Sequence, residues 1–331
     1  MKKYLLTVLR IAVGLGLIAY LLITADLGEF VILMRSWRVE YFVVAVLLGL
    51  LRNVTFAYRW RATLSAGGVK VPLLKLIRLY LVAGFFNLVL PTALGGDVVR
   101  GYGLVSRLDD KLSAATSVLV ERIIGLLTLT CVALTSLLLG GDVMGLSSGP
   151  LLWILAGTLI GIVVIVLALD APMVGRAVGR IRSVGPWEVG PPFQRVYVAL
   201  RQFVEQRRRL WPCFLLSIIS QVLAILAIWA LASAISLDVA PLYFFIVVPM
   251  IWVVTMIPVS VNGLGLREGA YVFFFARAGV SESAALLLAF LDVGRLLALG
   301  LVGGVVYVFG QAEQVGQRAS VKPIAKDDLY G

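Results

Sequence analysis

Long apolar runs alternate along this chain with short segments in which charged and turn-forming residues collect. A helix that crosses a bilayer needs about 20 predominantly apolar residues, and most of the runs approach that length. The runs that predict full spans are Leu5–Ile23, Tyr41–Tyr58, Ser113–Leu139, Leu151–Leu169, Trp211–Ile235 and Ser283–Phe309. The pattern therefore predicts an all-α, polytopic integral membrane protein with about 6 full spans.

Two further runs are interrupted by proline, glycine or charge. They are Leu73–Leu90 and Pro241–Ile257, one in each half of the chain. Paired short segments of this kind are the best sequence pointer to a transporter binding site. We interpret residues 73–112 and 241–280 as two re-entrant or broken helical hairpins.

Composition supports the membrane class and limits the chemistry. The chain is 61% hydrophobic, with a mean hydropathy of +1.01, and it contains no histidine. Without histidine it lacks the usual general base and the commonest metal ligand. Cys131 and Cys213 both fall in apolar runs without metal-ligand spacing. We therefore expect no metal, no cofactor and no catalytic residue.

The net charge of +11 is distributed as loop topology requires. Cytoplasmic loops are rich in Lys and Arg. Residues 59–78 hold five basic residues and no acid, and residues 170–209 hold eight arginines against three acids, whereas residues 141–150 hold one acid and no base. These assignments agree only if the first broken hairpin enters and leaves on the cytoplasmic side.

The same charge pattern organises the rest of the chain. We expect one transmembrane domain over residues 1–310 in the plasma (inner) membrane, with a cytoplasmic N-terminus and a polar cytoplasmic tail over residues 311–331. The loop 170–209 combines apolar helical faces with flanking arginines, which is typical of amphipathic helices on the inner leaflet. Nucleic-acid binding is excluded as a function, because no soluble domain presents a basic face.

The first hairpin carries a motif suited to binding an anion. In chain order it contains Asn87, Pro91, Gly95, Gly96, Asp97 and Arg100. Proline ends a helix and paired glycines allow a sharp turn, so a new helix is expected to start near Asp97. Its free N–H groups and Arg100 would hold a phosphate. The alternative is an Asp97–Arg100 pair that only neutralises charge, and both interpretations can hold together.

The second hairpin repeats this order. It contains Pro258, Ser260, Asn262, Gly263, Gly265, Arg267 and Glu268. Arg267 is therefore the second predicted phosphate contact, with Glu268 beside it at a helix start. Read alone, Gly-x-Gly would suggest a nucleotide loop, but neither Rossmann nor P-loop spacing is present.

A third group consists of ionisable residues inside long spans: Arg52, Glu121, Arg122, Asp292 and Arg295. Such charges are costly in lipid and usually face a polar interior. Asp292 and Arg295 can pair at i, i+3, whereas Glu121 and Arg122 diverge by about 100° and need partners on other helices. These residues either line a substrate path or form ion pairs that fix helix packing.

With these motifs the sequence resembles the flippase-like domain family, the lysylphosphatidylglycerol synthase transmembrane region. The resemblance covers nearly the whole chain and rests on Asn87…Pro91…Gly95-Gly96-Asp97…Arg100, Glu121-Arg122…Gly125 and Pro258…Ser260…Gly263…Gly265…Arg267-Glu268. It implies a multi-span protein that binds or translocates a phosphate-bearing lipid. The bifunctional synthases add a large soluble aminoacyltransferase domain. This chain ends shortly after its last apolar run, so lysyl transfer is not expected.

Together these patterns predict binding and transbilayer movement of a phosphate-bearing anionic lipid. The expected partners are that lipid and a separate lipid-modifying enzyme. One alternative is a membrane enzyme that transfers an aminoacyl or glycosyl group onto a lipid, with Asp97 or Glu121 as base. Another is a non-catalytic membrane partner protein. No oligomeric state is predicted.

The topology yields a first testable prediction. In a chain whose Cys131 and Cys213 are replaced by alanine, Gly145→Cys should react with a membrane-impermeant maleimide on intact cells, because residues 141–150 are expected outside. Ser183→Cys, in the basic loop, serves as the control and should react only after lysis. Labelling of Gly145→Cys only after lysis would contradict the re-entrant first hairpin.

Overall fold

A computed structural model describes residues 2–66, 68–89, 95–105, 111–140, 149–170, 197–198, 200–201, 207–257, 259–260 and 263–320. The main elements of these residues are all α-helices. In chain order they are α1 Lys2–Thr24, α2 Leu27–Ser36, α3 Val39–Ala66, α4 Leu73–Val89, α5 Gly95–Val105, α6 Lys111–Gly140, α7 Gly149–Asp170, α8 Arg207–Ala234, α9 Pro241–Thr255, α10 Leu266–Ala276 and α11 Glu282–Ser320. The predicted all-α membrane architecture is confirmed. The predicted amphipathic loop 170–209 falls mostly outside the described residues.

The described residues contain four to five candidate membrane spans, against about 6 predicted from the sequence. Four helices of the described chain are long and apolar enough to cross a membrane, through Val39–Ala66, Thr116–Leu138, Leu210–Ala234 and Glu282–Gly310. A fifth is reached only if Ala12–Thr24 and Leu27–Ser36, bent by 92°, count as one broken span. These helices coincide with four of the predicted spans, and the bent pair coincides with the predicted run that begins at Leu5.

The helix behind that turn, α2, was not predicted from the apolar runs. Asp26 caps it, since its side chain accepts hydrogen bonds from the backbone N–H groups of Gly28 at 2.8 Å and Glu29 at 3.2 Å. An aspartate followed three residues later by glutamate is a helix-start signal, so the sequence did contain the information. The signal is short and is easily overlooked beside a long apolar run.

Both predicted hairpins consist of two helices that pack against each other. In the first, α4 packs on α5, and in the second, α9 packs on α10. The first turn-back is tight, because Asn87 Oδ1 accepts a hydrogen bond from Gly96 N at 2.7 Å. A side chain on Gly96 would overlap the backbone oxygen of Ala83, so glycine is needed for this close approach.

Helix α3 occupies the middle of the bundle, in contact with α4, α6, α8 and α11. Its C-terminal half forms an apolar cluster with α4 and α5 in which Trp60, Leu64, Leu76 and Leu104 are fully buried. The larger core is formed mainly by the four helices α8, α9, α10 and α11 and includes Phe275 on α10. Side chains on α3 can therefore reach both hairpins.

The glycines of α11 hold it against the first hairpin. An added Cβ at Gly303 would overlap the backbone oxygen of Leu81, and one at Gly300 would overlap the side chain of Leu88, both on α4. Small residues let helix backbones approach closely in membranes. This contact places α4 beside the charged segment of α11.

Gly303→Ala should therefore lower the melting temperature of the purified protein, since overpacking typically costs about 1–3 kcal/mol. Gly310→Ala on the same helix is the matched control, because a Cβ there meets no described atom within 4 Å. The control should be neutral or slightly stabilising, as alanine is the better helix former. Equal melting temperatures for Gly303→Ala and wild type would contradict the close packing of α4 on α11.

Candidate functional site

The carboxylate of Glu121 on α6 is fully buried and joins three helices. Arg59 Nε on α3 donates to Glu121 Oε1 at 2.9 Å, and Arg100 Nη1 on α5 donates to Oε2 at 2.5 Å. The hydroxyl of Tyr80 on α4 donates to the same Oε2 at 2.5 Å. Arg59 Nη1 also donates to the Ser217 hydroxyl on α8 at 2.9 Å. Both carboxylate oxygens are thus hydrogen-bonded, as a buried charge requires.

Asp97 extends this cluster toward the surface. Its carboxylate forms ion pairs with Arg100, at 3.0 Å, and with Arg122 on α6. Helix α5 begins at Gly95, so Asp97 lies in the first turn rather than at the N-cap that the sequence suggested. The predicted Asp97–Arg100 pair is present, and Arg122 finds its partner on another helix as its position required.

Along α3, two guanidiniums flank one aromatic ring. The Arg52 guanidinium lies 4.5 Å and that of Arg59 4.7 Å from the centroid of the Phe56 ring. Phe56 in turn stacks on Tyr80 with ring centroids 5.6 Å apart. Cation–π contacts of this kind are favourable when desolvated. They connect Arg52, about two helical turns before Arg59, to the Glu121 cluster.

Asp292 on α11 is the centre of a second cluster. Its Oδ1 accepts from Arg295 Nη2 at 2.6 Å and from Arg295 Nε at 3.0 Å, which is the i, i+3 pair expected from the sequence. Its Oδ2 accepts from the Tyr271 hydroxyl on α10 at 3.2 Å. Arg267 and Arg52 lie within electrostatic reach of the same carboxylate. The second hairpin and α3 therefore share one buried acid.

The second helix break is stabilised by glycine geometry and a buried acid. Gly263 and Gly265 have φ values of +74° and +76°, which favour glycine. Glu268 Oε2 accepts from Gly265 N at 2.6 Å, so this carboxylate caps the start of α10. Arg267 Nε lies 3.5 Å from Glu268 Oε1. A Cβ on Gly265 would lie 2.6 Å from the Gly14 oxygen, because α1 packs on this break.

Some of the predicted site residues lie outside the described ranges or make no hydrogen bond. Pro91, Pro258 and Asn262 lie outside the described residues. The hydroxyl of Ser260 is buried, and it makes no hydrogen bond to any residue that the structure describes. Gly95 is buried at the start of α5. Within the described ranges, no group of three or more His, Cys, Asp or Glu residues could hold a metal ion.

The two clusters together carry more positive than negative charge. They contain four carboxylates, namely Asp97, Glu121, Glu268 and Asp292, and six arginines, namely Arg52, Arg59, Arg100, Arg122, Arg267 and Arg295. Four donors, Arg52 Nε, Arg100 Nε, Arg267 Nε and Arg295 Nη1, and the acceptor Glu268 Oε1 are buried without a hydrogen bond to the described part of the chain. Buried donors normally have partners, so this arrangement is suited to an anion.

Sequence reasoning missed several members of these clusters. Arg59 was counted only as a topology charge, and Tyr80, Ser217, Phe56 and Tyr271 were not singled out. Arg52, Phe56 and Arg59 are spaced i, i+4, i+7, which places them on one helix face. That spacing was the available signal on α3. For Tyr80 and Ser217 no sequence signal distinguishes them from other polar residues of apolar runs.

Comparison with known proteins places the chain among membrane proteins. The family described as "Lysylphosphatidylglycerol synthase TM region" matches residues 7–304. A "UPF0104 membrane protein" of Methanothermobacter thermautotrophicus is 28% identical over 297 residues, which cover 82% of this chain and 86% of the relative. The match extends over both broken hairpins and both charged clusters.

Glu121→Gln should destabilise the fold more than any surface change of the same chemistry. It leaves the buried Arg59 and Arg100 without their shared carboxylate, and breaking a buried pair costs about 3–5 kcal/mol. Glu40→Gln, an exposed change in the first turn of α3, is the matched control and should shift stability by less than about 0.5 kcal/mol. Thermal unfolding of both variants in the same detergent measures the difference, and similar melting temperatures would refute the Glu121 network.

Proposed function

The chain belongs to the lysylphosphatidylglycerol synthase transmembrane-region family, and on that premise we propose that it binds the phosphate of an anionic membrane lipid and carries that lipid between leaflets. The head group would enter between the two broken hairpins. The protein would act as a transporter, with the chemistry of any lipid modification supplied by a separate enzyme.

The surplus of arginine over carboxylate in the two clusters is the observation that carries this proposal. Taking an ion out of water costs several kcal/mol, so a buried guanidinium needs an anionic partner. Five buried or half-buried arginines and the exposed Arg122 surround four carboxylates in the two clusters, and donors of four arginines lack hydrogen bonds among the described residues. A lipid phosphate would supply both the charge and the acceptor oxygens.

The two helix breaks support the same interpretation. Non-helical backbone at membrane depth is stable only where protein or a wet cavity surrounds it. Arg100 and Arg267 each lie in or next to the first turn of the helix that follows a break, where free N–H groups favour anions. A head group moving past the breaks would therefore meet arginine in both hairpins.

Orientation in the membrane follows the loop charges. We propose that both termini are cytoplasmic and that the protein resides in the inner membrane, because basic residues collect around the connection between α3 and α4 and in residues 170–209, as they do in cytoplasmic segments. An anionic lipid made in the cytoplasmic leaflet would then meet the first hairpin first.

Transbilayer movement of a fluorescent phosphatidylglycerol in proteoliposomes tests the proposal. Wild type should move this lipid faster than protein-free vesicles, and Arg267→Gln should lower the rate about tenfold, the equivalent of ~1.4 kcal/mol. Arg100→Gln should also lower it, although this arginine additionally supports Glu121. Arg61→Gln, an exposed change on α3, is the matched control and should leave the rate unchanged.

Two outcomes would count against the proposal. Wild-type rates equal to those of empty vesicles would remove transport, and wild-type rates in both the Arg100 and Arg267 variants would remove the arginine contacts. Melting temperatures measured for each variant separate loss of transport from loss of fold.

A further inference from the structure

Where α3 crosses α11, two guanidiniums have donors left over. Arg295 is 4% exposed, and it uses Nε and Nη2 on Asp292 while Nη1 forms no hydrogen bond with any described residue. Arg52 Nε is also buried and lacks a hydrogen bond within the described chain. In addition, Arg52 forms no ion pair with a carboxylate of the described residues, which distinguishes it from the other five arginines of the clusters.

Gly49 brings these two arginines to one place. A Cβ on Gly49 would lie 3.3 Å from Arg295 Nη1, so this nitrogen reaches the backbone of α3 itself. Arg52 follows Gly49 by three residues on the same helix face, and helical side chains lean over the turn that precedes them. Arg52 and Arg295 thus both lie beside the stretch of α3 between Gly49 and Phe56. The two charges lie within electrostatic reach and repel each other.

Phe56 restricts where the Arg52 guanidinium can go. The ring lies one turn further along α3, and the guanidinium carbon is 4.5 Å from its centroid. Phe56 is itself held by stacking on Tyr80. A guanidinium fixed on an aromatic face keeps its N–H edge available for a planar partner.

The net charge of the surrounding side chains determines which ligand charge is favoured. Arg52, Arg267 and Arg295 face Asp292 and Glu268, which leaves one positive charge in excess. We infer that the α3–α11 crossing is a binding site for a singly charged phosphate ester, which Arg52 Nε and Arg295 Nη1 would hold. This inference rests on the proposed function and places the phosphate here rather than on Arg100. The Nη1 of Arg100 is already bound to Glu121 and Tyr80, and its Nε lies 3.0 Å from Asp97 Oδ1.

This binding site therefore selects among phosphate ligands by their charge. A phosphodiester carries one negative charge and balances the excess, whereas a phosphomonoester carries about −1.5 to −2 at neutral pH and overcompensates. The same donors would bind free phosphate equally well if the lipid tails contributed nothing to affinity. The experiment must separate these ligands.

The test measures ligand-induced shifts in melting temperature of the full chain in phosphate-free detergent, titrated with phosphatidylglycerol, phosphatidic acid or inorganic phosphate. Apparent dissociation constants follow from the dependence of the shift on ligand concentration. We expect wild type to bind phosphatidylglycerol most tightly and Arg52→Gln to bind it at least tenfold more weakly. Arg61→Gln on the exposed face of α3 is the control and should bind as wild type does.

The lipid-free proteins provide a second readout. Arg52→Gln removes a buried charge that has no ion pair in the described chain, so its lipid-free melting temperature should equal or exceed that of wild type. A lower value would identify Arg52 as a structural residue and overturn the inference. Arg52→Lys keeps the charge but loses the planar fork, and it should bind phosphatidylglycerol with an affinity between those of wild type and Arg52→Gln.

Other outcomes are equally decisive. If wild type binds phosphatidylglycerol and Arg52→Gln binds it with the same affinity, the binding site at the α3–α11 crossing is overturned but the proposed function stands. Tighter binding of phosphatidic acid would overturn the single-charge selection, and equal binding of inorganic phosphate would overturn the lipid as ligand. Wild type that binds none of the three would defeat the proposed function itself.

Discussion

A carboxylate buried among apolar helices must be hydrogen-bonded. Glu121 meets this requirement through side chains of three neighbouring helices. Its oxygens accept from α3, α4 and α5, while α6 carries it. Buried ion pairs add little net stability over apolar packing, but they penalise every arrangement in which a partner is missing. In this bundle the network fixes the positions of α3 and of the first hairpin relative to each other.

Helix α3 transmits that constraint to the second hairpin. Its polar face carries Arg59 at the Glu121 cluster and Arg52 near Asp292, with the Phe56 ring between them. Glycine then lets α3 and α11 approach closely at Gly49, where a Cβ would lie 2.6 Å from the Leu299 side chain. Arg52 and Arg59, on either side of the Phe56 ring, thus link the two charged clusters along α3.

The division of roles among the arginines follows from their partners. Arg59 and Arg100 are engaged by Glu121, and Arg122 is engaged by Asp97, so these three mainly balance fixed carboxylates. Arg52 and Arg295 keep donors that the described protein leaves unused. A ligand anion would complete the second group without disturbing the first. Structure and proposed function thus use the same residue type in two different electrostatic settings.

The sequence by itself determined the membrane class, the helical periodicity, the two breaks and the i, i+3 pair of Asp292 and Arg295, because each depends on neighbours in the chain. It also showed that Glu121 and Arg122 needed partners on other helices. Which residues those partners are depends on the packing of the helices, since Arg59, Tyr80 and Arg100 come from separate helices with no fixed sequence distance to Glu121. The donor left over on Arg52 likewise arises from three-dimensional packing, which local patterns do not encode.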